Sequence, residues 1–551
     1  MNGSAQTVEG TDMAARRTRA DAPVLIACGE GAAPSAGVEL IGFKAFNLAR
    51  MAALGLPVPP AFVLDTGWCQ RLDALSPSQW APALQALEQA TGLGFGDVRR
   101  PLLLSVRSGA PVSMPGMMET LLNIGLCDAT LPGLIRRSGN PRLAWDSYRR
   151  LVSGFATVVW GLPMAAFDED LARIAQGLPE RELDFLQLQA LTRAHLATVR
   201  ALRGESFPQD PWQQLDAAIR AVFASWSADK ARAYRQLKQL DDAMGTAVTV
   251  QAMVFGNAGG CSGAGVGFSR HPSTGAPEPW VDFLFNAQGE DVVSGRRVAA
   301  AVGELQQRAP AVWDELLAAA RQLECALQDM QDFEFTVEQG QLWMLQTRAG
   351  KRSVQAQARI ALDLHAQGVI SRAEALRRTE GLDAQTLALS EMAPLDGEAA
   401  PQALAHGESA AHGVVVGEIV LDEARARARH AAGASLVLVR QDAETADIAA
   451  LDLCAALLSI RGARTSHAAV VARQLGKVCL VACTGMRIDL ARREVRFDEL
   501  LLHEGDLLTV DGHSGAVYAG AWELCQRVPD GLLEALAVLR EPVPALQEAL
   551  S

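Results

Sequence analysis

A histidine stands at the predicted first turn of a short helix, in the segment RGARTSHAAVVARQLGK. Either Thr465 or Ser466 can cap this helix, and Gly476 is a typical residue at a helix C-terminus. His467 would then occupy the first or second helical position. There the helix dipole keeps an imidazole neutral and nucleophilic, and it also favours a bound phosphate. His467 is therefore a candidate phosphate carrier, with an ordinary helix-start residue as the alternative.

Four polar side chains on a predicted β-hairpin form a second candidate site, in DFEFTVEQGQLWMLQTR. Asp332 and Glu334 fall on one face of the first strand, and Gln346 and Arg348 share a face of the second. Such a face is costly to bury in an ordinary core. Its carboxylate and amide oxygens suit Mg²⁺ beside phosphates, and its guanidinium suits the phosphates themselves. An exposed polar sheet face is the alternative.

Two cationic side chains are further candidates for binding phosphate. One precedes a glycine-rich loop, and the other lies at the start of a predicted helix. Arg107 ends the buried strand LLLSVR, where a charged group needs a partner such as phosphate. The loop that follows, SGAPVSMPGMMET, is rich in backbone N–H groups that could cover phosphates. Lys44 lies in IGFKAFNLARM, at the start of a predicted helix, and a solvated lysine is the alternative there.

The remaining charged candidates are weaker, because single charged residues on helices are usually solvated. They are Glu290 and Asp291 in NAQGEDVVSG and Arg142, Arg149 and Arg150 in NPRLAWDSYRR. We interpret the other histidines as surface or structural residues, since none is spaced like a metal ligand. They are His195, His271, His365, His406, His412, His430, His503 and His513.

Together these segments resemble the phosphoenolpyruvate-utilising enzymes, and within them the pyruvate, phosphate dikinase family. RGARTSHAAVVARQLGKVCLVAC resembles the family's phosphohistidine signature. VRSGAPVSMPGMMETLLNIGL, SGAGVGFSRHPSTG, NAQGEDVVSG and DFEFTVEQGQLWMLQTRAGKR resemble other dikinase segments, in the same order. The resemblance covers about residues 35–525. It implies an α+β chain with an ATP-grasp nucleotide-binding domain, which carries a helical insertion, followed by a β/β/α swivelling phosphohistidine domain.

The resemblance also implies a reaction. His467 would become a tele-phosphohistidine at the expense of ATP, with AMP and pyrophosphate as products. The segment SGAGVGFSRHPSTG favours inorganic phosphate over water as co-substrate. Glu334 and Gln346 would hold Mg²⁺, Arg107 would assist catalysis, and Thr465 matches a regulatory phosphorylation site of some dikinases. The residues implied to bind ATP are Lys44, Arg107, Asp332, Glu334, Gln346 and Arg348.

Two departures from the family pattern concern local geometry. Phe43 stands where the family usually has glycine, and Ala411-His412 replaces the usual Ser-Pro near the start of the swivelling domain. A third departure concerns the acceptor. We expect no pyruvate/phosphoenolpyruvate-binding barrel on this chain, so pyruvate would be bound by a separate barrel protein.

Two other functions stay open. In the first, the phosphoryl group passes to a small alcohol, a phenol or another protein. In the second, the chain is a non-catalytic ATP-binding regulatory protein. The retained Arg107, Glu334, Gln346, Arg348 and His467 argue against this last function.

Composition narrows the class of protein. The 551 residues suffice for roughly three or four domains. A net charge of −13 disfavours binding to nucleic acid or to a membrane surface. Nine scattered cysteines without a CxxC pair indicate a reducing compartment, the cytoplasm. No apolar run is long enough to predict a membrane span.

The pattern along the chain predicts five segments. Residues 1–21 form a disordered extension, and 22–384 form the ATP-grasp domain with its helical insertion at about 140–240. A linker at 385–405 leads to the phosphohistidine domain at 406–527 and a tail at 528–551. Within the ATP-grasp domain we expect strands at GAGVGFSR and PWVDFLFN and a hairpin at Glu338-Gln339-Gly340.

Overall fold

The computed structural model describes residues 23–26, 36–112, 114, 118–293, 302–393, 402–442, 447–464, 466–498 and 500–542. The predicted N-terminal extension, 1–21, lies outside these ranges. Internal contacts divide the chain into two compact units. The first comprises Met1–Gly260 and Trp343–Thr347, and the second comprises Cys261–Leu342 and Arg348–Ser551. The division does not follow the domain boundaries expected from the sequence, which stay a prediction.

The first unit contains an antiparallel five-stranded sheet. Its strands, in spatial order, are Val24–Ile26, Ala61–Leu64, Ala247–Ala252, Leu104–Gly109 and Thr120–Ile124. The middle strand is buried along its whole length, as its run of β-branched and small apolar residues predicts. Arg107 lies on the strand beside it, directly opposite Thr249.

Helices make up most of the rest of the first unit, in agreement with the periodicity of residues 140–245. Among the described residues they are Val38–Ala53, Pro77–Thr91, Leu131–Ser138, Pro141–Trp160, Met164–Ala175, Phe185–Arg203, Pro211–Ala224 and Asp229–Lys238. The longest, Pro141–Trp160, is capped by Asn140, whose side chain accepts a hydrogen bond from the Leu143 N–H. The helix ends before Gly161, which has the left-handed conformation. Proline thus occupies the first helical position and glycine follows the last, which is the common arrangement in helices.

A four-stranded sheet, whose first three strands belong to the second unit, has a glycine-rich inner strand. Its strands are Trp280–Phe285, Gly263–Phe268, Gln331–Glu338 and Gln341–Ala349, in that order. Phe283 and Phe335 stack over the inner strand, with ring centroids 5.7 Å apart. A Cβ on Gly265 would lie 2.4 Å from the Phe335 ring, so the aromatic packing requires glycine there.

The last two strands of this sheet form the predicted hairpin. Gln339 and Gly340 both have positive φ, at 51° and 83°. A two-residue loop with two such residues is the turn that matches the twist of antiparallel strands. The turn therefore fixes the register of the strand that carries Asp332 and Glu334.

The second unit also contains a closed barrel. Its strands are Ala405–Ala411, Val478–Thr484, Ala456–Ser459, Leu436–Arg440, Val414–Val420, Leu507–Asp511 and Ala516–Ala519. Four of them run parallel to their neighbours, from Val414–Val420 to Val478–Thr484. The helices Glu423–Ala431, Ile448–Leu453 and His467–Gln474 supply the connections between parallel strands.

Smaller elements complete the second unit. The sheets are Met486–Asp489, Glu494–Phe497 and Leu500–His503, and the pair Leu389–Met392 and Leu524–Arg527. The helices are Gly289–Val293, Val302–Arg308, Pro310–Leu327, Val354–Ala366, Arg372–Arg378, Ala384–Leu387 and Leu532–Arg540.

The segment predicted as a linker, 385–405, contains regular elements. The helix Ala384–Leu387 ends within it, and the strand Leu389–Met392 follows and pairs antiparallel with Leu524–Arg527. Its local composition gives little sign of a strand, because the pairing partner lies far along the chain. Residues 394–401 of this segment lie outside the described ranges. In the described part of the chain, no helix has both the length and the apolar character needed to cross a bilayer.

Candidate functional site

One face of the four-stranded sheet carries the predicted acidic residues. Asp332 lies directly opposite Phe268, and Glu334 lies opposite Val266. Since residues two apart on a strand point to the same side, both carboxylates share one face, as the alternation with phenylalanine predicts. The other face is the aromatic one, where Phe335 packs. The two carboxylates thus lie on the face opposite the packed phenylalanine rings.

Asp332 forms an ion pair with Arg348 on this sheet. The distance from Arg348 Nε to Asp332 Oδ2 is 2.7 Å, and the carboxylate side chain is only 7% exposed. Burial raises the pKa of Asp332, while the adjacent guanidinium acts in the opposite direction. This ion pair across the hairpin was not predicted from the sequence, and it holds a guanidinium on the charged face.

The two predicted metal donors, Glu334 and Gln346, carry the oxygen ligands that Mg²⁺ prefers. Glu334 is half-buried on the charged face, and Gln346 is buried on the strand Gln341–Ala349. No cluster of three His, Cys, Asp or Glu side chains suited to a metal occurs among the described residues. Mg²⁺ bound to a nucleotide needs only one or two protein oxygens, because phosphates and water complete its shell. One carboxylate and one amide would be enough in number and type, and their role as metal ligands stays a prediction.

In the first unit, the segment around Lys44 approaches the end of the Arg107 strand. The Phe43 N–H donates to the Ala110 carbonyl at 2.9 Å. Gly42 has a φ of 75°, and a Cβ there would lie 1.8 Å from the Gly109 oxygen. The close approach thus requires glycine at 42, and Phe43 is accommodated beside it. The contact places Lys44 and Arg107 in neighbouring segments.

The weaker arginine candidates take part in contacts within the helical region. Arg142 donates to the Leu183 carbonyl at 2.9 Å and to the Arg181 carbonyl at 2.7 Å. Arg149 and Arg150 both pair with the buried Asp146. These side chains tie helices together in the first unit.

The remaining acidic candidates lie at the helix Gly289–Val293. Asp291 accepts a hydrogen bond from the Gln288 N–H at 3.0 Å, which fixes the start of that helix. Glu290 belongs to the same helix, and its side chain lies outside the described part of the structure.

The histidine segment folds as predicted. The helix spans His467–Gln474, so His467 is its first residue, and the Ser466 hydroxyl accepts from the Ala469 N–H at 3.4 Å. Gly476 follows the helix with a φ of 67°. The helix begins beyond the carboxyl end of the parallel strand Ala456–Ser459, where ligand sites of α/β sheets occur. Thr465 and the His467 side chain lie outside the described part of the structure.

Sequence reasoning missed an ion pair next to this segment. Arg464 contacts Asp282 of the strand Trp280–Phe285, with Nη2 2.6 Å from Oδ1. The Asp282 side chain is completely buried. A carboxylate in the middle of the apolar run PWVDFLF was the available signal, because it requires a cationic or hydrogen-bonding partner.

A second arginine, Arg473, is buried within the histidine helix. It donates to the Ala410 carbonyl at 2.8 and 2.6 Å, and its guanidinium lies 5.1 Å from the Trp280 ring centroid. Burial lowers the pKa of Arg473 to about 10, so it stays charged near neutral pH. Its burial could have been inferred from its position on a helix rich in alanine and valine.

Three of the histidines interpreted as surface or structural form a stack. The ring centroids of His271 and His412 are 5.2 Å apart, and those of His412 and His513 are 5.3 Å apart. Burial and the nearby arginines lower the pKa of His271 to about 4. Burial and the neighbouring histidines lower the pKa of His412 to about 4. His412 is thus a packed residue at the position that departs from the family pattern.

Comparison with known proteins places these features in a family. The profile described as the pyruvate phosphate dikinase AMP/ATP-binding domain matches residues 72–310, and that of the PEP-utilising enzyme mobile domain matches residues 433–515. Pyruvate, phosphate dikinase 2 of Zea mays is 42% identical over 88% of this chain and 56% of the relative. Pyruvate, phosphate dikinase of Clostridium symbiosum is 38% identical over 91% of this chain and 58% of the relative.

The chain spans about half the length of the curated relatives it matches. The match includes both the nucleotide-binding segments and the histidine segment, which confirms the resemblance found in the sequence. The chain therefore contains the AMP/ATP-binding domain and the mobile domain of the pyruvate, phosphate dikinases.

Proposed function

We propose that this chain is an ATP-dependent phosphotransferase that phosphorylates its own His467. In the first step, an imidazole nitrogen of His467 attacks the β-phosphorus of ATP. The new N–P bond replaces the bond between the β-phosphorus and the bridging oxygen, which leaves with AMP. The product is a pyrophosphoryl-histidine.

Inorganic phosphate completes the formation of the intermediate. A phosphate oxygen attacks the terminal phosphorus, and the bond between the two phosphoryl groups breaks. Pyrophosphate leaves, and His467 keeps one phosphoryl group on its tele nitrogen. Phosphate as co-substrate is supported by the resemblance of the segment SGAGVGFSRHPSTG to the dikinases and by the names of the relatives.

The buried ion pair of Asp332 and Arg348 is the observation that carries this proposal. A sheet face with a purely structural role does not need an ion pair in which the arginine side chain is 24% exposed and the carboxylate side chain is 7% exposed. Together with Glu334 on the same face, the pair supplies charges of both signs, which the phosphates and the metal of a nucleotide complex require.

The other predicted residues have complementary roles. Glu334 and Gln346 would hold Mg²⁺, which neutralises phosphate charge in such reactions. Lys44, Arg107 and Arg348 would bind phosphate oxygens and align the triphosphate for in-line attack. Since phosphoryl transfer demands little covalent work from side chains, alignment and charge neutralisation account for most of the catalysis.

The phosphoryl acceptor is the second part of the proposal. Pyruvate, bound by a separate barrel protein, would take the phosphoryl group from His467. The names of the relatives, which are pyruvate, phosphate dikinases, support this choice. The eight cysteines in the described part of the chain are free thiols, which supports the reducing cytoplasm as the location.

Product analysis tests the proposal. The protein is incubated with ATP, Mg²⁺ and inorganic phosphate, and the nucleotides and phosphates are separated by anion-exchange chromatography. We expect AMP and pyrophosphate in equal amounts, with one turnover per chain when no acceptor is present. Formation of ADP in place of AMP, or pyrophosphate that forms equally with and without added phosphate, would contradict the proposed steps.

A further inference from the structure

The ion pair between Arg464 and Asp282 joins the histidine segment to the charged sheet. Arg464 reaches Asp282 Oδ1 from both Nε, at 3.2 Å, and Nη2, at 2.6 Å. Asp282 is completely buried, whereas the Arg464 side chain is 21% exposed. A buried carboxylate is stable only when paired, so this contact is strongly favoured over solvation of the arginine alone.

The ring of Trp280 provides a second contact for the same segment. The guanidinium of Arg464 lies 4.5 Å from the ring centroid, and that of Arg473 lies 5.1 Å from it. Both distances are within the range of cation–π attraction. Because Arg464 precedes His467 by three residues and Arg473 follows it by six, the start of the helix is held on both sides.

The anchor points belong to the face that carries the predicted nucleotide-binding residues. Trp280 lies opposite Phe268, which lies opposite Asp332, and Asp282 and Glu334 lie on the two sides of Val266. Residues in one such row point to the same side of the sheet. Adjacent strands are about 4.8 Å apart, so Asp282 and Glu334 are separated by about 10 Å. Arg464 is thus attached to the sheet two strands from the proposed metal ligand.

We propose that Arg464 is a positioning residue, which holds the backbone before His467 against the nucleotide-binding sheet through Asp282. This inference rests on the proposed function and adds the residue that sets the distance between phosphate donor and histidine. Phosphoryl transfer depends steeply on alignment of the reacting atoms. Loss of the anchor would therefore slow the attack on ATP and leave ATP binding intact.

A set of matched variants tests this role. Arg464→Ala removes the anchor, and Arg464→Lys keeps its charge. Arg461→Ala is the control, because Arg461 lies in the same loop, is 58% exposed and pairs with Asp442 at 3.4 Å. For each variant, the rate of AMP formation at saturating ATP, the Kd for ATP and the melting temperature are measured.

The expected results distinguish a loss of positioning from a general loss of the folded structure. Arg464→Ala should slow AMP formation by about tenfold or more, with a Kd for ATP within about twofold of the original protein. Arg464→Lys should recover part of the rate, and Arg461→Ala should leave it unchanged. In a double-mutant cycle, adding Asp282→Asn to Arg464→Ala should cause little further loss. Unchanged AMP formation in Arg464→Ala would overturn the inference.

A second measurement tests the role of Arg464 without relying on catalytic activity. Hydrogen–deuterium exchange reports opening of the backbone around 462–469 and 280–285. Arg464→Ala should accelerate exchange in both segments, and Arg461→Ala should change neither. If the original protein forms no AMP, the proposed function fails, and exchange still decides the anchor. Equal exchange in Arg464→Ala and the original protein would show that Arg464 holds nothing in place.

Discussion

Arg464 donates to one oxygen of the completely buried Asp282, from Nη2 at 2.6 Å, and lies three residues before His467. The contact links the histidine segment to the sheet that carries Asp332 and Glu334. Both parts of the pair belong to the second compact unit. The predicted phosphate carrier and the predicted metal-binding face are therefore connected by a specific charged contact.

The ion pair on the sheet should be important for stability as well as for activity. Asp332→Ala would leave the Arg348 guanidinium without its carboxylate partner in a largely buried setting. Removal of one partner from such a pair typically costs about 3 kcal/mol. Urea unfolding at neutral pH measures the change. Glu423→Ala, at an exposed pair with Arg427, is the control and should have a small effect. Equal effects of the two variants would contradict the account.

The glycine strand should tolerate no side chain at Gly265. In Gly265→Ala the added Cβ would meet the Phe335 ring at 2.4 Å, and overpacking of this kind costs about 1–3 kcal/mol. Gly154→Ala is the matched control, since its Cβ would meet nothing within 4 Å in the helix Pro141–Trp160. That change should stabilise the helix by up to about 1 kcal/mol. Thermal unfolding of both variants gives the comparison, and a neutral Gly265→Ala would show that the sheet relaxes freely.

The histidine stack predicts a loss of stability in acid. The pKa values of His271 and His412 are lowered to about 4, whereas the unfolded chain has ordinary values near 6.5. The neutral histidines therefore make their full contribution to the free energy of unfolding above about pH 6.5. This contribution is lost as the pH falls from 6.5 towards 4.

Charged groups near these histidines change the size of the stability loss in acid, but they do not change its sign. Arg464 and Arg473 oppose protonation, and Glu278 and Asp511 favour it. In His412→Gln one titrating group is removed. The decline in unfolding free energy between pH 6.5 and 5 should then be shallower, by up to about 1.4 kcal/mol per pH unit. Parallel curves for the two proteins would show that His412 does not titrate in this range.

A negative charge at Thr465 should interfere with the phosphohistidine two residues away. Thr465→Glu adds a carboxylate two residues before His467 in the chain, and like charges repel. We expect slower formation of AMP in Thr465→Glu, and a rate close to that of the original protein in Thr465→Ser. The measurement is single-turnover AMP formation. An unchanged rate in Thr465→Glu would remove Thr465 from consideration as a regulatory site.

Local patterns in the sequence were sufficient to predict the elements of the site. The alternation around Asp332 and Glu334 predicted their shared face, and the residues at 339–340 predicted the hairpin turn. The cap at Ser466 and the glycine at 476 predicted the bounds of the histidine helix. Each of these features depends on residues close together in the chain, where backbone geometry decides the outcome.

Contacts between distant segments could not be predicted in the same way. Nothing near His271 indicates that His412 and His513 stack with it, because the order of strands in the barrel brings them together. The pairing of Arg464 with Asp282 likewise depends on the placement of the histidine segment against the sheet. The strand Leu389–Met392 was missed since its partner, Leu524–Arg527, lies near the other end of the domain.

The central claim is that His467 takes its phosphoryl group from the β-position of ATP. The most direct test is incubation with β-labelled ATP and Mg²⁺, followed by mapping of the label to a peptide under alkaline conditions that preserve phosphohistidine. The account predicts label on the peptide containing His467 and none in His467→Ala, with ATP binding retained in the variant. Equal labelling of the original protein and His467→Ala, or label on another residue, would contradict it.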